Sequence, residues 1–170
     1  MPDRGAARIF GVGLAVSALG FRLIRRSGGL EAIQRATTPE EFVVAARSHG
    51  NRLRAANLAD IAVFVPGYVL LGAGWMALLR RWRPQSGSIA EATRGIFGLV
   101  LFGAVADQIE NVAIRIGIGD TDLDAQDPTP SRGLTSVLAL ATPSKLGSLL
   151  SAMVVALGLT AAIGLGIVGS

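Results

Sequence analysis

Residues 98–114 read GLVLFGAVADQIENVAI, where an apolar run passes directly into a cluster of polar side chains. On a helix, Asp107, Glu110 and Asn111 share one face because they stand at positions i, i+3 and i+4, whereas Gln108 points elsewhere. A charged side chain at the centre of a membrane helix costs about 2.5–3.5 kcal/mol. The stretch therefore predicts a membrane helix whose acidic face points into a helix bundle.

The composition indicates a membrane protein. Of the 170 residues, 51% are hydrophobic and only 16% are charged, and the mean hydropathy is +0.51; soluble domains rarely combine these values. About 20 mostly apolar residues cross a bilayer, and residues 7–23, 58–79, 92–116 and 146–168 are long enough to do so. We predict an all-α fold, a four-transmembrane-helix bundle forming a single integral membrane domain over residues 1–170. For the first window, a signal peptide cleaved near Ala18 is the alternative.

The connection between the first two spans predicts a short amphipathic surface helix. Thr38 as N-cap, Pro39 at the first helical position and Glu41 three residues after the cap form a capping box. Three apolar residues share one face of that helix: Phe42, Ala46 and Leu53. Gly50 is expected to break or end it.

The last span carries no charge and is rich in small residues. Gly158 and Ala162 form a small-xxx-small pair, which is typical of closely packed membrane helices. Pro143 is predicted to start or kink this span, with residues 134–141 forming an apolar segment before it.

The positive charge predicts topology rather than nucleic-acid binding. The net charge is +4 and the isoelectric point is about 10.9, but the arginines gather at helix ends, where they contact lipid headgroups. The short turn with Arg80, Arg81 and Arg83 predicts that both termini are cytoplasmic and that the protein lies in the cell membrane. The arginines of the first connection leave the opposite orientation open.

The sequence lacks the residues that several kinds of chemistry require. The chain has no cysteine and one histidine, so disulfides, thiolate nucleophiles and histidine-cluster metal sites are excluded, and we predict no cofactor or metal. Residues 120–131 begin like an EF-hand, but Ala125 and Ser131 replace its glycine and glutamate; we predict a solvated loop. The sequence contains no known catalytic motif. An enzyme that uses Asp107 and Glu110 as its acid and base remains an alternative.

Antiparallel connectivity brings the start of the second span, the end of the third and the start of the fourth to the same side of the membrane. Pro66 has no N–H to donate to the Ala62 carbonyl, so we predict a kink there. A membrane helix tolerates such a kink where inward-pointing polar groups satisfy the freed carbonyl. We predict that eight residues form a polar core or a ligand-binding site at this side: Asp60, Tyr68, Asp107, Glu110, Asn111, Thr142, Lys145 and Arg22.

Three segments of the chain resemble a known group of proteins. Residues 58–68 (LADIAVFVPGY), 106–113 (ADQIENVA) and 141–145 (ATPSK) are similar to a family of small, uncharacterised bacterial four-helix integral membrane proteins. The family pattern is an Asp/Tyr helix, an Ala-Asp-x-x-Glu-Asn helix and a Thr-x-x-Lys helix start. The resemblance implies a shared polar site but no activity.

Four functional hypotheses follow for the polar residues. They form a structural network that fixes helix register, or a pocket for a lipid-like or amphipathic small molecule. Alternatively, they form a proton or ion relay, or the chain is an accessory subunit of a membrane complex. The expected partners are membrane lipid, an amphipathic ligand, and a second copy of the chain or another membrane protein.

Overall fold

The computed structural model describes residues 4–28, 30–36, 38–82, 87–120 and 132–165, and these ranges are helical almost throughout. A π-helical turn, Asp60–Phe64, joins the third helix to the fourth without a loop. The helices are α1 (Arg4–Ser27), α2 (Leu30–Gln34), α3 (Pro39–Ala59), α4 (Val65–Trp82), α5 (Gly87–Asp120) and α6 (Arg132–Gly164).

Within the described residues, four helical stretches are long and apolar enough to cross a membrane: Arg4–Ser27, Pro39–Trp82, Gly87–Gly119 and Gly133–Gly164. The predicted all-α fold with four spans is confirmed, and the chain is a multi-pass membrane protein. Each predicted window overlaps one of these stretches. The solvated loop predicted at residues 120–131 falls almost entirely outside the described residues, as do Arg83 and residues 166–170.

Of the two alternatives predicted for Pro143, a start of the last helix is wrong. Helix α6 begins at Arg132, and Pro143 lies inside it, so the apolar segment before Pro143 belongs to the same helix. Membrane helices tolerate an internal proline because neighbouring helices and hydroxyl side chains satisfy the backbone groups that it frees. The proline therefore did not mark a helix boundary here.

Helix α3 begins as the capping box predicts. The Thr38 side chain accepts a hydrogen bond from the Glu41 N–H at 3.2 Å, and Pro39 is the first helical residue. Gly50 adopts φ 47° and ψ −125°, a non-helical conformation that glycine tolerates best, so it breaks α3 into two segments that meet at a kink, as predicted. The predicted apolar face is buried; Phe42 and Leu53 pack in one cluster with residues of α2, α5 and α6.

Glycines bring α1 and α4 into backbone contact. A Cβ added to Gly13 would lie 2.2 Å from Leu71 N, and one added to Gly74 would lie 2.4 Å from Phe10 N. Lipid tails are as apolar as leucine, so membrane helices associate through such close packing rather than through hydrophobic burial. The two helices therefore form one tightly fitted pair.

Helix α6 packs on α5 through a face that the sequence did not single out. A Cβ on Gly103 would lie 2.8 Å from Ser148 Oγ, and Ala152 and Ala156 are buried. Nothing in the described part of the chain lies within 4 Å of a Cβ added to Gly158, so the small-xxx-small pair of Gly158 and Ala162 is not part of this contact. Small residues occur all around α6, and their spacing alone did not identify the buried face.

Candidate functional site

The acidic face of α5 points into the bundle, as the spacing predicts. Asp107, Glu110 and Asn111 each have 0% of their surface exposed. Gln108 lies on another side of the helix and is half-buried. Three polar side chains in the apolar part of a membrane helix thus meet other helices instead of lipid.

Helix α6 supplies a cation and a hydroxyl to these acids. Lys145, the only lysine in the chain, places its Nζ 2.9 Å from Asp107 Oδ1 and 2.7 Å from Glu110 Oε2. The Thr142 hydroxyl donates a hydrogen bond to Glu110 Oε1 at 3.0 Å. Because Thr142 and Lys145 are three residues apart, both side chains leave the same face of α6. The salt bridges therefore tie α6 to α5.

The second span contributes an acid and a phenol. The Tyr68 hydroxyl donates to Asp107 Oδ2 at 3.2 Å. Asn111 Nδ2 donates to Asp60 Oδ2 at 3.1 Å and lies 3.4 Å from Asp107 Oδ1. Asp60 is only 2% exposed. The second and third spans are thus joined by hydrogen bonds between side chains.

The π-turn explains how Asp60 and Tyr68 reach the same face of α5. In a regular α-helix, residues eight apart lie about 80° apart around the axis. The Val65 N–H bonds to the Asp60 carbonyl, and this wider turn takes up one extra residue, which reduces the angle to about 20°. Pro66 follows directly and lacks the N–H that would otherwise bond to the Ala62 carbonyl. The kink predicted from the proline takes the form of this turn.

Asn57 belongs to the network, although it was not among the predicted site residues. It is 4% exposed, and its Nδ2 donates to Asn111 Oδ1 at 2.8 Å and to the Asn111 carbonyl at 3.2 Å. The available signal was its spacing, since Asn57 stands three residues before Asp60 and shares its helix face. The predicted span began at residue 58 and left Asn57 in the polar connection.

Arg22 is the one predicted site residue that the structure does not bring to the others. It is exposed and lies in a shallow surface depression beside Phe21, Arg25 and Arg26. Helix α1 presents Gly20 to Phe64 of the π-turn, and a side chain two residues later points about 200° away around the helix axis. Arg22 therefore lies on the outer side of α1.

The hydrogen-bonded and ion-paired side chains form one connected set, which we call the polar cluster. It contains Asn57, Asp60, Tyr68, Asp107, Glu110, Asn111, Thr142 and Lys145. The cluster holds three carboxyl groups against one ammonium group, so it carries an excess of acid that burial makes unfavourable without bound protons or cations. No group of side chains in the described residues has the arrangement of a metal site.

A cavity of about 340 Å³ lies between α3, the π-turn and α5, at one end of the polar cluster. Two arginines and one cluster residue line it together with apolar side chains: Arg54, Asn57, Leu58, Ile61, Arg115, Ile118 and Gly119. Neither arginine has an ion-pair partner among the residues that the structure describes. The cavity thus offers two cations, unpaired within the described residues, next to a buried amide.

The chain matches no protein-family model, no curated protein and no solved structure. The resemblance to the small four-helix membrane family therefore stays a prediction.

Proposed function

We propose that this membrane protein binds an amphipathic small molecule with an anionic headgroup in the cavity between α3 and α5. The observation that carries the proposal is the pair formed by Arg54 and Arg115, which line one cavity without a carboxylate partner in the described residues. Guanidinium groups present a planar set of donors that matches carboxylate and phosphate oxygens. An anionic headgroup is the chemistry that complements this pair.

The apolar walls of the cavity suit the remainder of such a molecule. Leu58, Ile61 and Ile118 line it, and Leu58 is 58% exposed on the outside of the bundle. A volume of about 340 Å³ is at the lower end of the range of small-molecule sites. The headgroup would occupy the cavity while an acyl or isoprenoid chain lies along Leu58 in the membrane.

The polar cluster holds the walls of this cavity in place. Asn57 lines the cavity and donates two hydrogen bonds to Asn111 of α5. The charge of Lys145 is directed to Asp107 and Glu110, so in this proposal the arginines, and not Lys145, receive the anion. The structural and ligand-binding hypotheses then describe two parts of one arrangement.

We place the protein in the cell membrane with both termini in the cytoplasm. The arginines at the end of α4 support this orientation by the positive-inside rule, and the cavity would then open at the non-cytoplasmic leaflet. Because the chain has no cysteine, single cysteines test the orientation directly. Labelling of a cysteine at exposed Asn51 by an impermeant thiol reagent in intact cells is expected; protection until the membrane is opened would reverse the orientation.

Native mass spectrometry of the protein in mild detergent tests the binding proposal. Wild-type protein should carry a small molecule that is lost from the Arg54→Gln/Arg115→Gln variant. The matched control is Arg25→Gln/Arg26→Gln, which removes two exposed arginines from α1 and should retain the molecule. Equal occupancy in all three proteins, or an empty wild type that also fails to take up added anionic phospholipid, would overturn the proposal.

The same experiment distinguishes two sources of the anionic group, a membrane phospholipid and free phosphate. Delipidated wild type is incubated with either detergent micelles that contain phosphatidylglycerol or inorganic phosphate. Retention of the phospholipid alone identifies a membrane lipid as the ligand. Retention of phosphate alone shows that the arginines recognise the anion without the apolar chain.

Proton exchange at the polar cluster is the second candidate function. It is favoured by the excess of carboxyl groups, since Asp60, Asp107 and Glu110 are at most 2% exposed and face a single ammonium group. Intramembrane acids of this kind occur in proton relays. Infrared difference spectra of the protein in liposomes should show a carboxyl band that changes with pH and disappears in Asp60→Asn; a pH-independent spectrum would exclude this function.

A further inference from the structure

Among the described residues, Asn57 is the one uncharged polar side chain that lines the cavity of Arg54 and Arg115, which we call the arginine cavity. Its amide nitrogen is already used, because Nδ2 donates to Asn111 Oδ1 at 2.8 Å and to the Asn111 carbonyl at 3.2 Å. Its amide oxygen, Oδ1, has no hydrogen-bond partner in the described part of the chain and is not fully enclosed. The cavity therefore has an acceptor that these residues leave unsatisfied.

The orientation of the Asn57 amide is fixed by the groups that its nitrogen contacts. A backbone carbonyl only accepts hydrogen bonds, so the Asn57 atom that faces the Asn111 carbonyl is the nitrogen. The Asn111 amide is held in turn by the acids, since its Nδ2 donates to Asp60 Oδ2 at 3.1 Å and lies 3.4 Å from Asp107 Oδ1. The polar cluster thus keeps the nitrogen of Asn57 on Asn111 and leaves its oxygen for the cavity.

An acceptor in this position requires a donor on the ligand, because a buried amide oxygen without a hydrogen bond is unfavourable. The common donors of lipid headgroups are ammonium and hydroxyl groups. Arg54 and Arg115 line the same cavity, and no carboxylate among the described residues does so. A third cation would be repelled there, so a neutral hydroxyl is the donor that fits.

The positions of the arginines relate this hydroxyl to the anion. Arg54 stands three residues before Asn57 on α3, and Arg115 stands four residues after Asn111 on α5. Each arginine is therefore about one turn from the hydrogen-bonded pair of Asn57 and Asn111, on the same helix face. An anion between the arginines and a hydroxyl on Asn57 would be about 4.5–6 Å apart along the helix axes. A short polyol phosphate has its groups at such a spacing.

We propose that Asn57 determines the specificity of the arginine cavity, and that its Oδ1 accepts a hydrogen bond from a hydroxyl group of a phosphate ester such as a glycerol phosphate headgroup. This inference rests on the proposed function, in which the two arginines bind the anion. It narrows the ligand from any anionic amphiphile to one with a hydroxyl close to its phosphate. An anionic headgroup without that hydroxyl leaves Asn57 Oδ1 unsatisfied and binds less tightly.

Two phospholipids with identical acyl chains test this contact. Phosphatidylglycerol carries headgroup hydroxyls, and phosphatidylethanol has the same phosphodiester charge without them. Delipidated wild type in mild detergent is offered both lipids together, and native mass spectrometry measures the ratio that is retained. We expect about two- to tenfold more phosphatidylglycerol, the effect of one hydrogen bond. Equal retention of the two lipids would overturn this inference and leave the proposed function standing; retention of neither would overturn both.

Two further comparisons test the identity of the donor and its source. Phosphatidylethanolamine offers an ammonium group in place of the hydroxyls, and its retention above phosphatidylglycerol would overturn the inference. A preference for water-soluble glycerol phosphate over ethyl phosphate would support the same contact and identify a free phosphate ester as the ligand.

Asn57→Leu assigns the preference to this residue. The variant lacks Oδ1 but keeps both arginines, so it should retain the two lipids about equally. Asn51→Leu, at an exposed position of α3, is the matched control and should keep the wild-type preference. Circular dichroism checks that the variants are folded, and the lipid comparison in wild type remains decisive if Asn57→Leu does not fold. A folded Asn57→Leu with an undiminished preference for phosphatidylglycerol would overturn the inference.

Discussion

The Lys145 ammonium lies 2.9 Å from Asp107 Oδ1 and 2.7 Å from Glu110 Oε2. One cation of α6 therefore joins two carboxylates that stand one turn apart on α5. The pairing specifies how the two helices align along their length, since a shift of one turn would separate the ammonium from one of its acids.

Removing the cation alone should destabilise the protein strongly. Lys145→Met leaves Asp107 and Glu110 buried without their counter-charge, and breaking a buried ion pair in this way costs about 3–5 kcal/mol. The free energy of unfolding should fall by this amount. It is measured by circular dichroism in mixed micelles that contain an increasing fraction of a denaturing detergent. Arg94→Met, which removes an exposed cation from α5, should change it little.

Neutralising the acids at the same time should restore stability. The triple variant Lys145→Met/Asp107→Asn/Glu110→Gln has no uncompensated charge at this position, so we expect most of the loss to be recovered. A triple variant as unstable as Lys145→Met would contradict the assignment of the penalty to buried charge. Ligand binding by the triple variant then reports whether the charges matter beyond stability.

Tyr68→Phe isolates one hydrogen bond of the polar cluster. The substitution removes the hydroxyl that donates to Asp107 Oδ2 at 3.2 Å but keeps the ring, which contacts Phe64 edge-to-face at 5.4 Å between centroids. Hydrogen bonds between membrane helices contribute about 0.6 kcal/mol on average and up to about 1.7 kcal/mol, and the free energy of unfolding should fall within this range. Tyr68→Leu, which also loses the ring contact, should cost more; equal losses would show that the ring contact contributes nothing, and an unchanged Tyr68→Phe would show the same of the hydroxyl.

Gly13→Ala and Gly11→Ala test the close contact of α1 and α4 with two glycines of the same helix. A Cβ on Gly13 meets the backbone of Leu71 at 2.2 Å, whereas nothing lies within 4 Å of a Cβ on Gly11. Gly13→Ala should lower the free energy of unfolding by about 1–3 kcal/mol through overpacking. Gly11→Ala should be neutral or stabilising because alanine favours the helix. Similar effects of the two substitutions would argue against backbone contact at Gly13.

Asn57→Leu should show that Asn57 is part of the polar cluster. The change leaves Asn111 Oδ1 and the Asn111 carbonyl without the donor that reaches them at 2.8 Å and 3.2 Å. An unsatisfied buried acceptor costs about 1–3 kcal/mol, which thermal unfolding in detergent should detect. The control is Asn51→Leu at an exposed position of α3. A control with the same loss would assign the effect to leucine in this helix rather than to the lost donor.

The core of the site could be predicted because it depends on local geometry. Asp107, Glu110 and Asn111 share a face by their spacing alone, and Thr142 and Lys145 do so on another helix. Their meeting followed from antiparallel connectivity, which brings those helix ends to one side. The arginine cavity could not be predicted, because Arg54 and Arg115 lie 61 positions apart in the chain and only the packing of α3 on α5 brings them to the same cavity.

Other details depended on how helices rotate about their axes. The small-xxx-small pair of α6 includes Gly158, but the buried residues of this helix are Ala152 and Ala156 instead. Arg22 was expected at the polar cluster, but α1 presents its glycine face to α4 and leaves Arg22 on the outside. In a membrane helix with small residues on several sides, spacing leaves these rotations open.

The sequence by itself determined the number of spans, the helical class and the burial of the acidic face of α5, because hydrocarbon excludes unpaired backbone and charged groups whatever the packing. Only the tertiary structure decided which partners those acids meet. The π-turn at Asp60–Phe64 brings Asp60 and Tyr68 to one face, and the glycine contacts of α1 orient α4. Such choices arise from contacts between distant residues, which no local pattern encodes.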